Sequence, residues 1–286
     1  MFNLFKSELY RFFKAKHTLI LALVGVFLAI ILPVLQFVLK TSISSLAEAY
    51  SEAYGETYSV DNLITFSALS TTQSALNPGS LFAFVVSIFV ILILVQDYRN
   101  GTIRNKVICG ISRFKIYSTY YLVSLIFILA MLFGYGLLTF LFSLIFFPVV
   151  PEGVVVSTFV GQFFLAVLFD LLNILFIISA ALICVSLFRT VGLSLLVFIV
   201  AQLGLQVVGS FINSASTYLK LYETNVDGVV TLMNVMNWIN PFYLLSTISI
   251  TQYNTADLVF NIVTPIVWCI VNLGLGYLAT VKKDIK

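Results

Sequence analysis

Six apolar stretches, each long enough to cross a bilayer, constrain this chain more than any other feature of its sequence. A helix of about 20 apolar residues traverses the roughly 30 Å hydrocarbon layer. Inside that layer only helices and closed barrels satisfy every backbone polar group. The stretches cover about residues 18–39, 79–96, 118–147, 155–188, 191–212 and 258–281. The third and fourth are long enough to tilt or to run past the membrane. Composition agrees. The chain is 60% hydrophobic and 9% charged, whereas a soluble domain is about 45–50% apolar and about 25% charged. The expected fold class is therefore all-α, a polytopic membrane protein with six transmembrane helices.

The first stretch exceeds the apolar core of a signal peptide, which is usually about 7–15 residues. Ala47-Glu48-Ala49 loosely mimics a cleavage site but lies well beyond the stretch, so the segment reads as an uncleaved span.

Positive charge sets the orientation. With both termini cytoplasmic, the inner segments hold Lys6, Arg11, Lys14, Lys16, Arg99, Arg104, Lys106, Arg113, Lys115, Arg189, Lys282, Lys283 and Lys286. The outer segments hold only Lys40 and Lys220, so the 15 basic residues divide 13 to 2. Glu48, Glu52, Glu56, Asp61, Glu152, Glu223, Asp227 and Asp257 fall outside. Cys109, Cys184 and Cys269 show neither metal nor redox spacing. His17 is the single histidine and has no partner for a metal site.

Residues 1–17 form an amphipathic segment before the spans, which occupy 18–286. Phe2, Phe5, Leu9, Phe12 and Phe13 share one helical face, and Asn3, Lys6, Ser7, Arg11 and Lys14 the other. The segment reads either as a helix lying in the headgroup layer with its cations near anionic lipid or as a simple basic flank of the first span. The outer loop 40–78 is acidic and polar; Ser44–Tyr54 is a candidate helix, and Asn77-Pro78-Gly79 breaks the chain before the second span. Outside the fifth span, Val229–Ile239 is apolar but too short to cross. It stops at Asn240-Pro241 and reads either as a re-entrant or surface-lying helix or as an ordinary loop helix.

The inner segment Asp97–Tyr117 carries more pattern. Gly101 interrupts the second helix, and Thr102 is placed to cap a short new one over Ile103–Cys109. Gly110 ends it and Ser112 caps the third span. Ile103 and Val107 share one face of this helix, while Arg104 and Lys106 point elsewhere.

At this segment the chain resembles the permeases of the type-2 ATP-binding-cassette (ABC) exporter family. Their first cytoplasmic loop reads acidic-Tyr-x-x-Gly-Thr, then a short helix, then Ser-Arg. Here those positions are Asp97, Tyr98, Gly101, Thr102, Ser112 and Arg113. The resemblance extends to the layout: an N-terminal amphipathic elbow helix, six spans, and an outer helical element ending in Asn-Pro, here Asn240-Pro241. It implies that Ile103–Cys109 is a coupling helix docking on a separate ATPase, with Gly101, Thr102, Ile103, Arg104, Lys106, Val107 and Arg113 as coupling residues. It also implies a second permease, identical or paralogous. ATP and Mg would bind the partner, because this chain lacks a Gly-x-x-x-x-Gly-Lys-Ser/Thr loop. The expected cargo is amphipathic or hydrophobic: an antimicrobial peptide, a drug or a lipid-linked molecule. The expected location is the cell membrane, with no nucleic-acid partner.

Polar residues within the spans are the remaining candidates. Asp170 is the only acidic residue deep in a span, with Asn173 on a similar face. A lone carboxylate in hydrocarbon costs several kcal/mol by insertion measurements, about 3 kcal/mol at a helix centre. It marks either a substrate path or subunit interface, or an interhelical hydrogen bond. Gln202 and Gln206, with Gly209 and Ser210 nearby, form a small-and-polar stripe suited to close packing within the bundle or between two halves. An alternative function is an ion-gradient-driven secondary transporter using Asp170 as its coupling site. An intramembrane enzyme is disfavoured, because Asp170 has no acidic or histidine partner in another span.

Overall fold

The structure, a computed structural model, describes residues 2–54, 66–151, 154–222, 227–248, 250 and 255–282. Glu56, Asp61, Glu152, Glu223, Lys283 and Lys286 lie outside the described residues. Eleven helices and no strand make up what is described: α1 (Phe2–Lys14), α2 (Lys16–Tyr54), α3 (Ala68–Leu76), α4 (Leu81–Arg99), α5 (Thr102–Ile108), α6 (Arg113–Ser143), α7 (Val156–Phe188), α8 (Val191–Tyr222), α9 (Asp227–Ile239), α10 (Pro241–Thr247) and α11 (Thr255–Lys282). The chain is an all-α, multi-pass membrane protein. Six units are long and apolar enough to cross: α2, α3 with α4, α6, α7, α8 and α11.

α7 is the central span and packs against α11, α8, α4, α6, α3 and α10. Phe169, Phe176, Ile178 and Ala181 are buried along it. The outer spans do the reverse. α8 leaves Leu196, Val200, Leu203, Val207 and Phe211 exposed in one stripe, and α2 leaves Leu19, Leu23 and Phe27 exposed. Soluble monomers rarely show such an apolar coat; a bilayer covers it.

Two spans differ from the sequence expectation. α2 does not stop near residue 39. It continues unbroken to Tyr54 and absorbs the candidate helix Ser44–Tyr54. Its 39 residues span about 58 Å, so its last turns stand beyond the hydrocarbon. The second span begins not at residue 79 but at Ala68. α3 starts where α6 ends: the Ala68 N–H donates to the Pro148 carbonyl at 2.8 Å. At its other end Leu76 lies against Gly136. There α4 takes over, with the Phe82 and Tyr135 ring centroids 4.4 Å apart. α3 and α4 are thus one span broken at 77–80. Ser67 caps α3 in a reciprocal box with Ser70, and Ser80 caps α4.

α9 and α10 form a helical pair packed against α8, α11 and, through α10, α7. The Trp268 Nε1 donates to the Ile239 carbonyl at 3.0 Å. The Phe242 and Phe176 ring centroids are 5.0 Å apart, about 30 Å along α7 from its start. Asn240 fixes the corner: its Oδ1 accepts from the Tyr243 N–H and its Nδ2 donates to the Leu205 carbonyl at 2.7 Å.

Arg11, Lys106 and Arg113 come together at one end of the bundle. There α1, the end of α4, α5, the start of α6 and the end of α11 meet, joined by Arg11 with Asp97, Lys106 with Glu8, and Arg113 with the last carbonyls of α11.

Candidate functional site

α5 is a two-turn helix with defined ends. Gly101 occupies its N-cap with φ +68°. That left-handed geometry suits glycine, and no side chain caps the helix. Thr102, expected to be the cap, is instead the first helical residue. The sharp turn out of α4 needs the left-handed residue at the cap position itself, which leaves no hydroxyl there. The far end closes as the sequence indicates. Gly110 has φ +82°, its N–H donates to the Val107 carbonyl at 3.0 Å, and the Ile111 N–H donates to the Lys106 carbonyl at 3.1 Å. This paired termination satisfies the last carbonyls of the helix. Ser112 Oγ then accepts from the Lys115 N–H at the start of α6.

The two sides of α5 differ. Ile103 is 2% exposed and Val107 packs onto the core. Arg104, Asn105 and Ile108 are exposed, Ile108 at 72%. Lys106 does not point away with Arg104, as the spacing suggests. It turns inward and pairs with Glu8 of α1. Its Nζ also donates to the Tyr120 hydroxyl at 2.8 Å and lies 4.8 Å from the Tyr120 ring centroid.

That pair belongs to a larger cluster. Arg11 donates through both terminal nitrogens to the Asp97 carboxylate, a bidentate geometry. Arg11 Nη2 also lies 2.7 Å from Glu8 Oε2. The sequence Asp97–Arg11–Glu8–Lys106–Tyr120 therefore links α4, α1, α5 and α6. Two acids and two bases balance, which is the condition for burying Glu8 and Asp97. Burial works against the charge on Arg11, but its hydrogen bond to Asp97 and the attraction of Asp97 and Glu8 hold its pKa above the ordinary value. Arg113, one residue past the Ser112 cap, donates to the Val281 carbonyl at 2.6 Å and the Thr280 carbonyl at 3.3 Å. A cation at the C-terminus of α11 is favourable there.

A second polar cluster lies inside the bundle. Asp170 is 1% exposed and Asn173 fully buried, about 21 Å along α7. Gln73 of α3 donates its Nε2 to Asp170 Oδ2 at 3.3 Å and to the Ile248 carbonyl at 3.2 Å. Asn77, at the break after α3, donates to the same carbonyl at 3.3 Å. Asn173 Nδ2 donates to the Phe169 carbonyl. Asp170 Oδ1 and Asn173 Oδ1 have no hydrogen-bond partner among the described residues.

Gln202 is buried with its Oε1 unpartnered, and Gln206 is half-buried. Among the described residues no hydrogen bond joins them to Asp170 or Asn173. The close approach in this stripe is internal: Gly209 of α8 lies against Tyr243 of α10, where a Cβ would come within 2.5 Å of the tyrosine.

Glu8, Tyr120 and Gln73 are the site residues that sequence reasoning missed. Glu8 had a usable signal, an acid one helical turn before Arg11 on a basic helix. Gln73 had none, because it sits in a polar run, Ser-Thr-Thr-Gln-Ser, that reads as loop. A scan against protein-family models and a search of curated proteins return no match to this chain.

Proposed function

We propose that this chain is the permease subunit of an ATP-binding-cassette exporter, with its basic end in the cytoplasm. α1 is then the elbow helix and α5 the coupling helix. The observation that supports this reading is the two-sidedness of α5: one face is bound into the bundle through Ile103 and Lys106, and the other is open through Arg104, Asn105 and Ile108. A helix held in this way passes a push from outside to α1, α4 and α6 together. The push would come from a separate ATPase that binds ATP and Mg, and the chain would work as a pair, with an identical or paralogous permease. The cargo would be amphipathic or hydrophobic.

The test is copurification of the tagged chain with an ABC ATPase from its own cell, together with transport driven by that ATPase. Arg104→Glu and Ile108→Asp should abolish both. Transport that persists with these substitutions, or a complex that forms without any ATPase, overturns the proposal.

A second reading has one observation in its favour. The break at 77–80 lies beside Asp170, and interrupted helices often frame the ion site of secondary transporters. Transport that needs no ATPase and collapses with the proton gradient supports that reading instead.

A further inference from the structure

Among the described residues, Arg189 is the one residue other than glycine with a positive φ, at +54°. It caps the end of α7, and Thr190 alone separates it from α8. Its N–H still donates to the Val185 carbonyl at 3.0 Å, as within a helix. The left-handed step then reverses the chain, and Ser194 Oγ fastens the returning helix to the Cys184 carbonyl at 3.3 Å. A helix end of this shape suits glycine best, because a Cβ is penalised there. Arginine is the opposite choice: it takes the backbone penalty and brings a long cationic side chain. Strained residues persist where their surroundings hold them, and they gather at functional positions.

The side chain shows what holds it. The Arg189 guanidinium carbon lies 5.4 Å from the centroid of the Tyr98 ring, within reach of a cation–π attraction. Tyr98 stands in the last turn of α4 and is packed against the core. Its neighbour Asp97 takes Arg11 of α1, in the cluster that holds Lys106 of α5. Two adjacent residues at the foot of α4 thus bind different elements: Asp97 joins the cluster around α5, and Tyr98 joins the α7–α8 turn. α5 itself packs on α4 and α6. Apolar contact between packed helices leaves room for small sliding. A cation held over a ring face opposes that sliding between α4 and α7 at this end.

We infer that Arg189 is a positioning residue: it pins the inner end of α7, the central span, to the segment that carries α5, so that a displacement of α5 moves α7 with it. For the source of the displacement this rests on the exporter reading; the pin itself does not.

The experiment is amide hydrogen exchange on the full chain in lipid nanodiscs, first with no ATPase present. Arg189→Gly removes the cation and relieves the backbone, so the melting temperature should hold or rise. Exchange at residues 98–103 should nonetheless quicken by about two- to fivefold, the range for losing one such contact. Arg189→Asn, which also tolerates the left-handed backbone, should do the same. Tyr98→Leu should quicken exchange across the contact, at residues 187–191, whereas Tyr98→Phe keeps the ring and should behave as the wild type. In a second arm the copurified complex is trapped with ATP and vanadate. Exchange should then change in both α5 and α7 of the wild type, but in α5 alone of Arg189→Gly. The inference is overturned if residues 98–103 exchange at the wild-type rate in both Arg189 variants, if Tyr98→Leu leaves 187–191 unchanged, or if α7 of the trapped Arg189→Gly complex responds as the wild type does. If no ATPase copurifies, the exporter reading falls, and the first arm alone decides the pin.

Discussion

Glu8 is the residue on which the wiring of the basic end depends. It is buried and contacts both Arg11 and Lys106. Glu8→Gln keeps the shape but removes the charge, leaving Lys106 beside a neutral amide. Unfolding free energy should fall by about 1–3 kcal/mol, the range for a buried hydrogen-bonded ion pair that keeps some access to water. Chemical denaturation of the purified protein measures it. A double-mutant cycle with Lys106→Gln should show coupling; strict additivity would mean that the two residues do not interact. The sequence displayed half of this cluster. Asp97 and Lys106 belong to the patterned segment around Gly101, whereas the only signal for Glu8 is its place three residues before Arg11. A pair three residues apart on a helix is common on any solvated face, and only burial distinguishes the two cases. Gly101 makes the simpler residue-scale case. At φ +68°, with open space around it, Gly101→Ala meets no clash and should cost only the left-handed backbone penalty, about 1–2 kcal/mol.

At the scale of elements, α3 shows what hydropathy reading leaves out. Ala68–Leu76 holds Ser, Thr and Gln in its middle, so no window over it reaches the level of a span. Its polar groups are satisfied inside the protein: Thr71 and Thr72 donate back to the carbonyls four residues earlier, and Gln73 reaches Asp170. Non-apolar backbone at membrane depth is tolerated where protein surrounds it, and that condition is tertiary. The same limit explains α2 and α8, whose polar ends continue as helix because nothing breaks them. Close packing between elements can be tested on α8. Gly209→Ala places a Cβ within 2.5 Å of Tyr243, close to that residue's own Cβ, where no flexible end can give way. It should destabilise the α8–α10 contact by about 1–3 kcal/mol, the usual cost of overpacking. Gly204, one and a half turns earlier, has nothing within 4 Å. Gly204→Ala should therefore stabilise the helix by roughly 0.5–1 kcal/mol. Thermal unfolding of the two variants in one detergent should move in opposite directions.

At the scale of the whole molecule, the six-span architecture was legible because apolar length is a local property, and the side-to-side charge bias was legible because it is a count. Which side that bias faces is open to direct chemistry. Cys109 is exposed at the basic end, one residue past α5, while Cys184 and Cys269 are buried. The unmodified chain therefore offers one reactive thiol to a membrane-impermeant maleimide. With the basic end in the cytoplasm, intact cells should remain unlabelled and inverted membrane vesicles should take up one label per chain. Labelling of intact cells would reverse the orientation and remove α5 from the reach of any cytoplasmic ATPase. The same thiol also reports on docking. Cys109 adjoins Ile108 and the open face of α5, so an ATPase bound there should shield it. The labelling rate in inverted vesicles should drop when the ATPase is present and recover with Ile108→Asp. An unchanged rate in a complex that still hydrolyses ATP would place the docking surface elsewhere, and α5 would then be a structural turn held by Lys106 and Ile103.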